Sequence, residues 1–247
     1  MKLALFADLH ANLEALTACL ANAEHEGAEA HAFLGDLVGY GADPAAVLDV
    51  VAAHAARGAP VVLGNHDAAA LDGRTDTMDK GAAAAIAWTR GELGASGRAL
   101  LAGLPLVARR GEALFVHASA DAPESWTYVA DATRAGQSLA ACDATWVFSG
   151  HVHVPALYYL APGGRAVPFT PVPGVAIPIP PRRRWLAIVG SVGQPRDGSA
   201  AACYAMCDLA RATLTFHRVP YDVRTAAAKV RAAGLPDRLA LRLEHGK

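Results

Sequence analysis

Little in the 247-residue chain points to a partner recognised by bulk charge. Only 18% of the residues are charged, and 22 Lys and Arg nearly balance 23 Asp and Glu, for a formal net charge of -1. That balance excludes the broad positive face with which proteins hold nucleic acid or an anionic membrane, so any anion is expected to be held by a local cluster. Cysteine is sparse as well. The four (Cys19, Cys142, Cys203, Cys207) form no CxxC pair, and Cys203 and Cys207 fall on one side of an apolar strand-like stretch. They read as small buried hydrophobes, and a chain this long needs no disulfide scaffold. No run approaches the roughly 18 apolar residues of a membrane span. The opening apolar run is broken by Asp8 and lacks a cleavage site, so a secretory signal is not expected and the protein is read as cytoplasmic. Internal repeats are absent, and a hydrophobic content of 53% excludes disorder. The low aromatic content, 6%, carries no functional signal.

What is present is an alternation of short apolar runs and helical patterns. Strands are expected at Lys2–Ala7, His31–Leu34, Pro60–Leu63, Ala113–Val116 and Thr145–Phe148, with helices between them. Among these helices, one starts after Asn12, one follows Asp43 as its cap, and others cover Asp79–Glu92, Gly97–Gly103 and Asp131–Ala141. Short strands joined by helices imply a buried, largely parallel sheet. The texture then changes. Ala156–Leu160, Leu186–Val189, Ala202–Leu209 and Thr213–Val219 read as a second, more antiparallel sheet. Residues 161–184, rich in Pro and Gly and closed by Arg182, Arg183 and Arg184, read as an excursion loop. A last helix, Thr225–Ala233, precedes a short tail. A single domain over 1–247 is expected.

The polar exceptions gather at the ends of the apolar strands: Asp8 and His10, Asp36, then Asn65, His66 and Asp67, then His117, then His151 and His153. The carboxyl ends of parallel strands line one crevice, where ligands bind. Buried carboxylates are costly to keep ionised, and metal coordination is one of the few ways to do so. Histidine combined with carboxylate and amide oxygens suits manganese, iron or zinc better than calcium or magnesium. Six or seven donors exceed one tetrahedral ion and suffice for two that share a carboxylate. Such a pair retains positive charge, attracts phosphate and supports phosphoryl-ester hydrolysis.

Asp8-Leu9-His10, Gly35-Asp36-Leu37-Val38-Gly39, Gly64-Asn65-His66-Asp67, His117 and Gly150-His151-Val152-His153 resemble, in order and spacing, the five signature blocks of the calcineurin-like metallophosphoesterases. The resemblance implies an α/β fold, a four-layer αββα sandwich with two mixed sheets packed face to face and helices outside. It implies that Asp8, His10 and His153 ligate one metal, that Asn65, His117 and His151 ligate the other, and that Asp36 bridges them. His66 would contact the phosphate and protonate the leaving oxygen, with Asp67 orienting its ring. The nucleophile would be a metal-bridging hydroxide. Two divalent ions are implied, with Mn2+ favoured and Fe, Zn or Ni as alternatives.

Leu9–Leu16, Asp36–Pro44 and Gly190–Gly198 are similar to a narrower group of small bacterial and archaeal phosphodiesterases, some of which act on diadenosine tetraphosphate. Ala11 and Ala118 stand where that pattern usually has glycine, and the Arg182–Arg184 insert also departs from it. The implied substrate is a small phosphorylated molecule such as a nucleotide, with no membrane or extended nucleic-acid surface involved. Asn12 is a candidate phosphate contact or the cap of the first helix. Tyr40 and Trp126 are candidates to stack on a base, and Arg196 is a candidate to reach phosphate or to close a tight turn. The three arginines at 182–184 are a solvated loop or a basic lip. Three functions compete: a diester or phosphoanhydride hydrolase, a phosphomonoesterase or protein phosphatase on the same metals, and a non-enzymatic scaffold of the same fold.

Overall fold

The computed structural model describes every residue from Met1 to Lys247. The first half runs β1 (Lys2–Phe6), α1 (Leu13–His25), β2 (Ala30–Phe33), α2 (Pro44–Ala55), α3 (Asn65–Asp72), α4 (Lys80–Glu92) and α5 (Ala95–Ala102). Next come β3 (Val107–Arg110), β4 (Ala113–Val116), α6 (Ala132–Ala140), β5 (Trp146–Ser149), β6 (Ala156–Leu160), β7 (Ala166–Phe169) and β8 (Ile177–Pro178). The chain closes with β9 (Trp185–Ile188), β10 (Ala202–Asp208), β11 (Thr213–Val219), α7 (Val223–Ala232) and α8 (Asp237–His245).

Strand β1 shows how the layers arise. Its alternate side chains point to opposite faces, and both faces are apolar. Ala4 and Phe6 join the core under the helices, where Phe6 stacks on Phe33 and Tyr204 at ring distances of 5.5 and 5.3 Å. Leu3 and Leu5 join a second core with Phe115, Phe148 and Ala187, which lies between two sheets. A third core seals the far face of the second sheet with Ala135 and Leu139 of α6. The order helix, sheet, sheet, helix is the expected four-layer sandwich.

The assignment of strands to sheets differs from the expectation. One sheet has the order β2-β1-β10-β11-β8 and the other β3-β4-β5-β9-β6-β7, so each mixes early and late strands. In the first, β1 pairs parallel with β2 and antiparallel with β10; in the second, β4, β5 and β9 run parallel between antiparallel flanks. Local patterning reports which residues are buried, and both sheets are buried on both faces, so their strands look alike in sequence. Residues 161–184 are more than a loop, since they supply β7 and β8, one edge strand to each sheet. The Pro60–Leu63 segment forms only a single parallel bridge, Val61 to Phe33, because Gly64 turns the chain into α3. The expected tail is the amphipathic helix α8, which buries Leu239, Ala240 and Leu243. Asp43 sits at the cap position of α2 without capping it, and its carboxylate instead takes Lys229 Nζ at 2.9 Å. No helix is long and apolar enough to cross a membrane.

Candidate metal centre

Six of the seven expected ligands sit just beyond the carboxyl end of a strand, five of them on backbone that regular structure does not use, and Asn65 opens helix α3. Asp8, His10, Asp36, His151 and His153 all have positive φ, between 47° and 67°, as do Ala11, Tyr40 and Trp126 around them. Only one other non-glycine residue, Ala212, shares that conformation. Left-handed backbone costs a non-glycine residue roughly 1–3 kcal/mol, and its concentration here aims five donors inward at the expense of local comfort. Gly64 is required for the same convergence, because a Cβ there would collide with the amide and carboxylate of Asp36.

The structure brings all seven expected donors together. Asp8, His10, Asp36 and His153 form one group of ligand atoms lying within 4.8 Å of one another, and Asp36, His117 and His151 form a second. Asp36 belongs to both. Its Oδ2 is 3.7 Å from His10 Nε2 and 3.4 Å from His117 Nε2, and Asn65 Oδ1 is 3.1 Å from His117 Nε2.

The hydrogen bonds of the four rings identify what the cluster is built to hold. His10 Nδ1 donates to Val38 O, His153 Nδ1 to Gln194 O, His117 Nδ1 to Leu34 O and His151 Nε2 to Trp126 O, at 3.2, 2.6, 2.7 and 2.9 Å. A neutral imidazole has one N–H, so each remaining nitrogen carries a lone pair. Those lone pairs face each other: His10 Nε2 lies 3.1 Å from His153 Nε2, and His117 Nε2 lies 3.1 Å from His151 Nδ1. Acceptors set against acceptors in a buried site are repulsive unless a proton or a cation stands between them. Backbone carbonyls that fix the tautomer of each ring are the usual support of metal-binding histidines.

Charge in the cluster leads to the same conclusion. Burial pushes Asp8 up to about 8, with Asp36 adding to the rise, and pushes His151 down to about 3, helped by His117. Burial likewise drives His10 and His153 well below their ordinary value. It works against charge on His117 and Asp36 too, but their mutual attraction wins, raising the imidazole to about 9 and holding the carboxyl well below its usual range. Three imidazoles kept neutral beside Asp8, a carboxyl that resists ionisation, leave the cluster short of positive charge. Divalent cations would supply it, so the residues fit bound metal.

The surrounding candidates divide. His66 lines a cavity of about 530 Å³ beside the cluster, its ring 4.9 Å from that of His10. Asp67 does not orient that ring, since His66 Nδ1 has no partner. Its carboxylate accepts instead from the amides of Leu37, Val38 and Gly64 at 2.9, 3.1 and 2.9 Å, tying the Asp36 loop to the start of α3. Asn12 spends its side chain on the fold, capping α1 through Ala15 N and donating to Gly193 O and Tyr221 OH. Tyr40 is buried against the rings of His10 and His66, at 4.6 and 4.5 Å, with the Arg196 guanidinium over its own ring, so it offers no exposed surface for a base. Trp126 turns its carbonyl to His151, while Tyr128, 52% exposed, stacks on the same ring at 3.9 Å. Tyr128 was missed because no motif marks it. Arg196 lines the cavity, and so does Arg242, a residue hidden in what reads as a tail. Arg182–Arg184 lie elsewhere: Arg184 binds Ala144 O and Cys142 O behind α6, and Arg183 covers the Tyr159 ring.

Comparison with known proteins agrees with this geometry. A family model for the calcineurin-like phosphoesterase superfamily domain matches residues 1–212. A protein of Methanocaldococcus jannaschii, described only as uncharacterized, is 31% identical over 255 residues, 99% of this chain and 98% of that protein. The crystal structure of a metallophosphoesterase from Sphaerobacter thermophilus is similar over 100% of both chains, with 35% identity and a TM-score of 0.89. A protein of Pyrococcus horikoshii shares the fold at 20% identity, with a TM-score of 0.78 over 100% of this chain and 98% of that one.

Proposed function

The chain belongs to the calcineurin-like phosphoesterase superfamily, and from that premise we propose that it hydrolyses phosphodiester or nucleotide phosphoanhydride bonds with two divalent metal ions, manganese favoured. Asp8, His10 and His153 would hold one ion and Asn65, His117 and His151 the other, with Asp36 shared. The observation that carries the reading is the set of four imidazoles whose free nitrogens converge in facing pairs on Asp36. When bound, such ions polarise phosphate oxygens and acidify water near neutral pH.

The chain's own residues complete the site. His66 lies on the cavity wall, where it would contact the phosphate and give a proton to the leaving oxygen. Burial holds its imidazole below the ordinary range, so an anionic substrate beside it is what would let it carry that proton. Tyr40 wedges the His66 ring in place, and the open ring of Tyr128 is the surface on which a base would stack. A cavity of about 530 Å³ leaves room for substituents around the phosphate, which supports a diester or anhydride over a simple monoester.

The test is hydrolysis of bis(p-nitrophenyl) phosphate beside p-nitrophenyl phosphate, on chelator-treated protein with manganese restored. The expected result is manganese-dependent turnover favouring the diester, reduced more than about 100-fold in Asp36→Asn. A preference for the monoester would overturn the substrate class. Failure to turn over either ester with metal bound would favour the scaffold.

A further inference from the structure

Two cations on the cavity wall, Arg196 and Arg242, converge on one buried neutral side chain. Arg238 pairs with Asp79, Arg231 with Asp237 and Glu244, and Arg218 with Asp197. Arg196 and Arg242 line the cavity and have no carboxylate within ion-pair distance. Both donate to one neutral oxygen, Gln194 Oε1, Arg196 Nη2 at 3.0 Å and Arg242 Nη1 at 3.4 Å. Arg196 Nη2 also reaches Tyr40 OH at 3.4 Å, while its Nε is buried with no partner. Two like charges gathered on a single uncharged acceptor repel each other, and one orphaned donor adds to the cost. An anion between them would relieve both.

Their place relative to the metals is set by the same residue. Gln194 is fully enclosed; its carbonyl receives His153 Nδ1 at 2.6 Å, while its side chain gathers the two arginines. The guanidinium of Arg196 lies 5.7 Å from the centre of the Tyr40 ring, which itself packs on His10 and His66. The arginine pair therefore stands beside the metal cluster, on the wall of the cavity that Asn65, His66 and His151 also line.

We propose that Arg196 and Arg242 form a subsite for a second phosphate, so that the preferred substrates carry at least two phosphates joined by an anhydride. The proposal rests on the phosphoesterase reading and adds to it the feature of the substrate that is recognised. One phosphate would lie at the cluster around Asp36, where its residues would hold the metals, and the next, across the bridging oxygen, would be held by the arginines. In the reaction the bridging oxygen's bond to the attacked phosphorus breaks, and the oxygen of one water bonds to that phosphorus. The water's two protons pass one to each product phosphate. The phosphate that departs with the bridging oxygen gains negative charge, which two forked guanidiniums match better than ammonium groups would.

The experiment compares the manganese-loaded protein with Arg242→Gln, Arg196→Gln and Arg242→Lys on two substrates, the p-nitrophenyl ester of adenosine 5′-phosphate and diadenosine tetraphosphate. The ratio of kcat/KM for the anhydride to that for the single-phosphate ester is expected to fall at least about tenfold in each Gln variant, the loss of one charge-assisted hydrogen bond, with partial recovery in Arg242→Lys. Calorimetry gives a readout free of turnover: pyrophosphate is expected to bind the wild-type holoprotein at least about tenfold more tightly than phosphate, and that margin to vanish in Arg242→Gln. An unchanged ratio together with an unchanged margin would overturn the subsite while leaving the phosphoesterase reading intact. Turnover of neither substrate by the wild type would overturn the phosphoesterase reading, and the pyrophosphate margin would still decide whether the arginine pair binds two phosphates.

Discussion

Asp67 illustrates what a single side chain does at this centre. It stands next to His66 in sequence, and that adjacency suggests a carboxylate holding an imidazole. The structure instead commits its two oxygens to three amides, two of them from Leu37 and Val38, thirty residues upstream. Backbone donors leave no trace in sequence, so this role was not legible, whereas Asp8, Asp36 and the histidines were, as polar exceptions at the ends of apolar strands. Replacing Asp67 with Ala strands three buried N–H groups and is expected to cost at least about 3 kcal/mol in urea denaturation, with weaker metal binding as the Asp36 loop loosens. Gly64→Ala should act on the same loop by another route. Its Cβ has no space beside Asp36, and overpacking of this kind costs about 1–3 kcal/mol. Manganese affinity measured by calorimetry is expected to fall in both variants.

At the scale of elements, helices with a side-chain cap and a regular apolar period were legible, as α1, α4 and α6 show. Elements defined by their neighbours were not. Strands β7 and β8 exist because the sheets have edges to extend, and α8 because α7 offers an apolar face to its three buried residues. The contact between β2 and α2 supports a pH prediction. His31 and His54 meet edge to face at 4.6 Å, and Arg57 Nη2 lies 3.2 Å from His54 Nδ1. Burial lowers His54 from 6.5 to about 4, with His31 and Arg57 adding repulsion. Between those values the unfolded chain binds a proton that the folded chain refuses. Stability from this site is therefore complete above pH 6.5 and is lost as pH falls toward 4. The loss is expected to be about 1 kcal/mol, less than full linkage because the ring is half-exposed to screening solvent. His54→Gln should flatten the dependence of the urea midpoint on pH across that window, and an unaltered slope would refute the assignment.

For the whole molecule, the decisive feature is where the donors come from. Asp8, His10 and Asp36 follow strands of one sheet, while His117, His151 and His153 follow strands of the other. The cluster therefore sits on the seam of the sandwich, and bound cations would tie its two sheets together. That seam was only partly legible. The signature blocks implied one crevice, but the division of strands between sheets depends on pairings such as β1 with β10, two hundred residues apart. Metal removal is thus expected to act globally. At a free metal concentration 100 times its dissociation constant, one binding event adds about 2.7 kcal/mol, so chelation should lower the midpoint of thermal unfolding by several degrees, reversibly.

The sharing of Asp36 between two donor groups is the central claim, and titration of manganese into chelator-treated protein, followed by calorimetry and electron paramagnetic resonance, tests it most directly. Two ions per chain with a spin-coupled signal are expected in the wild type, and loss of the coupling in Asp36→Asn. A single ion, or two ions whose spectrum is uncoupled and indifferent to the substitution, would contradict it.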